Sequence, residues 1–203
     1  MAVDLLAVSK TRTAVEIRAL IATGQRAFGE NYVQEAVGKQ RELNDLDLQW
    51  HLIGHLQSNK AREAAAAFDW VQSVDRHKLA VALAHHRAPE LPQLNVLIQV
   101  NIDDEVSKSG CRPVDAFALA DAIATAPRLV LRGLMAIPAP DPDMQRRRAA
   151  FRALKQLLEA LRAQHPHIDT LSMGMSDDFE LAIAEGATMV RIGTALFGAR
   201  SPE

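Results

Sequence analysis

From Val3 to Ile192, short apolar runs bounded by turn or polar residues alternate with segments whose apolar residues recur at three and four, and no linker interrupts the series. Short apolar runs alternating with helix-period segments are the pattern of repeated β-α units. Strands are predicted over Val3–Val8, Ala27–Gly29, Trp50–Ile53, Trp70–Val74, Val96–Val100, Leu129–Met135, Thr170–Met173 and Met189–Ile192. Eight is the number that closes a β/α barrel, so the predicted fold class is α/β, a single TIM-type (β/α)8 barrel. An open doubly wound sheet alternates its elements in the same way, and closure rests here on the strand count alone.

The helices announce themselves by caps and stripes. Thr13 with Glu16 spells a capping box, Ile17, Leu20 and Ile21 supply an apolar face, and Gly24 ends the turn. A second helix follows Asn31 with Val33, Ala36, Val37 and Leu43, and others follow Asp75, Pro113 and Ser176, the last ending near Gly186. Phe151, Leu154, Leu158 and Leu161 make a further stripe, with Arg146, Arg147 and Arg148 at its head as a solvated face.

A chain of 203 residues that is 48% hydrophobic can bury one substantial core, which predicts one domain over residues 1–203. The net charge of -2, with signs mixed along the chain, points away from nucleic acid and anionic membranes. One cysteine, Cys111, allows no intrachain disulfide, and no apolar run is long enough for a bilayer span or a signal-peptide core; the expected location is the cytoplasm. Nothing around Cys111 argues for an activated thiol.

In a β/α barrel the working groups sit where strands end and loops begin. Lys10 follows the first predicted strand, Asn31 the second, His55 the third and Lys108 the fifth, while Ser176 and Arg191 close the last two. An ammonium directly after an apolar strand either snorkels to solvent or loses its proton in a low-dielectric site, where it becomes a nucleophile for carbonyls. Barrels often hold phosphate in the loops after strands seven and eight. There Gly193 lets backbone approach an anion, while Thr194 and Ser176 offer hydroxyls and can cap the helices that follow. A phosphate site across from a carbonyl-reactive lysine is what a pyridoxal phosphate pocket requires. His51 and His55 stand four apart but lack the glutamate of the zinc-protease pattern and read as a strand entering a loop, so no metal site is predicted.

The segments Ala7-Val8-Ser9-Lys10-Thr11, Phe28-Gly29-Glu30-Asn31-Tyr32-Val33-Gln34-Glu35, His51-Leu52-Ile53-Gly54-His55-Leu56-Gln57-Ser58-Asn59-Lys60 and Ser107-Lys108-Ser109-Gly110 resemble, in order, segments of the pyridoxal phosphate homeostasis protein family. So do Gly133-Leu134-Met135-Ala136-Ile137, Ser172-Met173-Gly174-Met175-Ser176-Asp177-Asp178-Phe179-Glu180 and Val190-Arg191-Ile192-Gly193-Thr194-Ala195-Leu196-Phe197-Gly198. The resemblance implies an alanine-racemase-type barrel with pyridoxal 5'-phosphate as cofactor. Lys10 would be the imine lysine, Arg191 would face the pyridine nitrogen, Ser176, Gly193 and Thr194 would surround the phosphate, and Asn31 would lie beside the ring. A guanidinium only donates hydrogen bonds, so a nitrogen facing it stays unprotonated and the ring is a poor electron sink.

Two departures shape the expectations. The family has a helix before the first strand, whereas this sequence enters the strand directly after Met1; if that helix is lost, uncovered apolar surface should lower solubility or stability. The chain also stops at Glu203 without the second domain of alanine racemases, which supplies a catalytic tyrosine, and Tyr32, the only tyrosine, is not placed as a second base.

The leading expectation is therefore a monomeric carrier and buffer of pyridoxal phosphate with no catalytic residue assigned, passing cofactor to apo pyridoxal-phosphate enzymes; Lys108 reads as a solvated loop lysine ahead of a pocket-rim residue. A pyridoxal-phosphate-dependent amino-acid racemase and a barrel that binds another phosphorylated metabolite remain the alternatives.

Overall fold

The computed structural model describes residues 2–103, 109–139 and 141–198. In chain order the elements are β1 (Asp4–Val8), α1 (Ala14–Ile21), β2 (Ala27–Glu30), α2 (Val33–Glu42), β3 (Gln49–Leu52), α3 (Ala61–Ala67), β4 (Trp70–Val74), α4 (His77–His86), β5 (Leu94–Gln99), α5 (Ala116–Thr125), β6 (Leu129–Met135), α6 (Met144–Arg162), β7 (Thr170–Ser172), α7 (Phe179–Ala184), β8 (Met189–Ile192) and α8 (Thr194–Phe197). The strands form a closed parallel barrel in sequence order. Closure is made by β1 on β8, with Asp4 opposite Met189 and Ala7 opposite Ile192. That pairing excludes the open doubly wound sheet.

Local chemistry sets the helix boundaries. Thr13 Oγ1 accepts from the Glu16 amide while Glu16 Oε2 accepts from the Thr13 amide, closing the capping box of α1. Gly24, at φ +100°, lets the chain turn back toward β2. Asp143 caps α6 through the Gln145 amide, and Phe151, Leu154, Leu158 and Leu161 face inward. Burying each of these four side chains contributes about 1.5–3 kcal/mol. The arginine run at the head of α6 divides: Arg146 stands in solvent, whereas Arg148 reaches Glu185 at 3.3 Å, as does Arg152 at 2.7 Å one turn on.

Two capping expectations are corrected. The cap position of α7 is Asp178, whose Oδ1 accepts from the Met175 amide, and Gly193 holds that position for α8; neither Ser176 nor Thr194 caps its helix. Their hydroxyls stay at the barrel mouth. The Ala-rich α3 has too few large apolar side chains to show a stripe in the sequence.

Two layers are buried. The larger lies between barrel and helices and includes Phe28, Val71, Leu94, Leu134, Phe151 and Leu171. Inside the barrel, Leu6, Ile53 and Met189 form one small cluster and Trp70, Leu97 and Met135 another. Polar side chains complete the interior: His51, Gln72, Ser172 and Arg191 are all buried there. Gly133, at φ +150° in β6, sits against the Thr170 carbonyl with no room for a Cβ, beside the register shift at Val96 and Leu97.

Candidate functional site

At the carboxyl end of the strands a cavity of about 630 Å³ opens to the surface. Its lining includes Lys10, Asn31, Ser176, Arg191, Gly193 and Thr194, so the structure brings together every cofactor-binding residue expected from the sequence. His55 also lines it, half-exposed and 3.8 Å from Asp75, whereas His51 points into the barrel below. Lys108 lies outside the described residues.

Each wall follows from its strand end. Lys10 and the left-handed Thr11 (φ 65°) follow β1. Asn31 follows β2, and its backbone packs so closely on Gly54 that a Cβ there would collide with the Asn31 carbonyl. Thr194 opens α8 and Ser176 precedes α7 at the far wall. Beside Gly193 a Cβ would meet Val8 at an ordinary 3.5 Å, so packing alone does not demand glycine there.

Arg191 forms the floor. Its Nη1 donates to Ser172 Oγ and its Nη2 to the Ala136 carbonyl, both at 2.8 Å. Burial lowers its pKa to about 10, which leaves it cationic at neutral pH. Ser172 Oγ in turn donates to Gln72 Oε1 at 2.7 Å, and Gln72 Nε2 meets His51 Nδ1 at 2.9 Å. His51 Nε2 meets Gln49 Oε1 at 2.9 Å, and the ring stacks on Trp70 with centroids 5.1 Å apart. Burial pushes the His51 pKa down to about 3, so the ring is neutral. Every bond is then satisfied by one direction of donation, from Arg191 through Ser172 and Gln72 to His51 protonated on Nε2. That chain fixes the guanidinium plane at the cavity floor.

Cys111 is buried with its pKa raised to about 12, first by desolvation and then by Asp115 and Asp75. It is a packing residue and not an activated thiol.

The model of the alanine racemase N-terminal domain family matches residues 2–201. The pyridoxal phosphate homeostasis protein of Pseudomonas aeruginosa is 59% identical over 198 residues, covering 98% of this chain and 85% of that protein. The protein of the same name from Escherichia coli K12 is 55% identical over 201 residues, covering 98% and 86%. The chain belongs to the pyridoxal phosphate homeostasis protein family. Among solved structures, PipY of Synechococcus elongatus with pyridoxal phosphate (PLP) bound superposes with a TM-score of 0.89 at 42% identity, covering 97% of this chain and 92% of that one. Alanine racemase of Corynebacterium glutamicum, at 21% identity and a TM-score of 0.71, shares the fold and is covered over 57% of its length.

For this member of the pyridoxal phosphate homeostasis protein family, two parts of the site escaped sequence reasoning. Gln99 ends β5 on the cavity wall, only 6% exposed; its Nε2 donates to the Ser109 carbonyl at 3.2 Å, and its Oε1 has no hydrogen-bond partner among the described residues. A buried acceptor without a donor is costly. The signal was an amide interrupting the apolar run Val96-Leu97-Ile98 and Val100. The second is the layer beneath Arg191, where His51 drew attention only as half of a failed metal pattern.

Proposed function

We propose that the chain is one barrel domain that binds pyridoxal 5'-phosphate at this cavity, holds it as a Schiff base on Lys10, and serves intracellular homeostasis of that cofactor. The observation that carries the reading is the convergence on one cavity of an amine after β1, hydroxyls before α7 and at α8, and a buried cation from β8. Family membership supports the same ligand. Joining Lys10 Nζ to an aldehyde carbon makes one C=N bond and releases one water, both amine hydrogens leaving with the carbonyl oxygen. The cofactor supplies the aldehyde and the conjugated ring.

The protein's own groups divide the remaining work. Ser176, Thr194 and the Gly193 backbone take the phosphate, Asn31 packs beside the ring, and Arg191 donates to the ring nitrogen and never receives a proton from it. Tyr32 is 66% exposed on the adjoining groove beside Asn31, so a second base opposite Lys10 is not supplied by it. This supports reading the chain as a carrier ahead of a racemase. In this reading it works in the cytoplasm as a monomer and hands cofactor to apo-enzymes. Among the described residues no helix is long and apolar enough to cross a membrane.

Amino acids incubated with the loaded protein in D2O should show α-hydrogen exchange no faster than with Lys10→Ala. Exchange well above that control would assign an enzyme. A purified chain that shows no saturable absorbance change on titration with pyridoxal phosphate would overturn the ligand itself.

A further inference from the structure

Directly behind Lys10, on the side away from the cavity, a second charged cluster is buried. Lys39 of α2 is 7% exposed and Glu30 at the end of β2 is fully buried. Lys39 Nζ uses three donors: to Glu30 Oε1, to Glu35 Oε1 and to the Ser9 carbonyl, each at 2.7 Å. Glu35 Oε1 also accepts from the Thr11 amide at 2.6 Å, and Ser9 Oγ donates to Glu30 Oε1 at 2.6 Å. The two backbone groups flanking Lys10, the carbonyl before it and the amide after it, are thus bound by one salt-bridged pair, Lys39 with Glu35.

An ion pair is costly to bury and contributes little to stability compared with apolar packing of the same volume. Its geometry here serves the peptide segment around Lys10. Thr11 sits at φ 65°, a conformation that a β-branched residue avoids, and persists where surrounding bonds over-determine it. The far side of the segment is tied as well: Arg12 Nη2 donates to the Gly198 carbonyl at 2.6 Å, and its guanidinium lies 5.6 Å from the centre of the Phe197 ring, joining the loop after β1 to α8.

We propose that Lys39 and Glu35 are positioning residues for Lys10, fixing its Cα so that Nζ is presented to an aldehyde held by the phosphate wall opposite. The proposal rests on the reading of Lys10 as the attachment point. Reaction between two held groups is sensitive to displacements of the order of an ångström. Loss of the clamp therefore weakens the covalent attachment and leaves the phosphate contacts and the ring-nitrogen contact, which come from β8, α8 and the loop before α7, in place.

Glu35 is the residue to change, because its side chain is 26% exposed and its removal leaves the buried Lys39–Glu30 pair intact. The probes are pyridoxal 5'-phosphate and pyridoxine 5'-phosphate, which has the same ring and phosphate but an alcohol where the aldehyde stands. In Glu35→Ala, affinity for the aldehyde and the rate at which the imine band appears should fall about tenfold, while affinity for the alcohol stays within about twofold of the parent protein. Glu35→Gln should restore the aldehyde, since its amide oxygen still accepts from the Thr11 amide. Equal losses for both probes, no loss for the aldehyde, or no rescue by glutamine overturns the positioning role. A parent protein that holds the aldehyde no better than the alcohol overturns the attachment reading beneath it.

Discussion

Lys39→Met should lower stability by about 3–5 kcal/mol at neutral pH, because it leaves the fully buried Glu30 carboxylate without its cation. Glu30 Oε2 already has no partner among the described residues, and burial holds the Glu30 pKa above the ordinary glutamate value even with Lys39 and Ser9 lowering it. Without Lys39 it rises further. Between the unfolded value, about 4.3, and the raised folded value, the native state binds more protons than the unfolded state. Stability therefore falls as pH rises through that window and recovers as pH falls into it. Urea denaturation of parent and variant at each pH should show the deficit shrinking from pH 7.5 toward pH 5. Pairing the change with Glu30→Gln should recover most of the loss, since the double variant buries no lone charge. A deficit below about 1 kcal/mol that ignores pH would mean that the cluster is not a buried ion pair in solution.

The second large effect belongs to Gly133. Alanine there would place a Cβ against the Thr170 carbonyl at a φ of +150°, so backbone strain of about 1–3 kcal/mol adds to an overpacking cost of similar size, also about 1–3 kcal/mol. For a chain of this length the sum lowers the melting temperature by roughly 5–20 °C. Gly38 in α2 is the control: a Cβ added there would meet no atom within 4 Å, and alanine is the better helix former, so Gly38→Ala should hold or raise the melting temperature. Equal melting temperatures for the two variants would contradict the close approach of β6 and β7.

How much was legible in the sequence follows the range of the interactions. The eight strands were readable because each is a short apolar run between turn residues, and the structure moves their ends by one or two positions, as at Leu94 and Glu30. The α1 capping box was readable because it is complete within four residues. Closure of the barrel was not local, since it depends on Asp4 to Ala7 meeting Met189 to Ile192 across the whole chain. At the site, residues at strand ends could be picked out because fold class says where working groups lie. What lay beneath them could not: Lys39 reads as one more charged helix position, and only α2 packing on β2 reveals that it reaches back to Ser9. Ser172 and Gln72 are one hundred residues apart, and no local pattern announces that bond. Ser176 and Thr194 looked like caps because the residue type favours caps, but Asp178 and Gly193 occupy those positions and leave both hydroxyls at the cavity.

The central claim is attachment at Lys10. Purified protein mixed with pyridoxal phosphate should develop an imine absorbance band that borohydride removes, and peptide mass mapping should then place the reduced adduct on Lys10, with Lys10→Ala showing no such band. An adduct spread over surface lysines, or a band that survives in Lys10→Ala, would contradict the account and leave a phosphate-binding barrel without a covalent site.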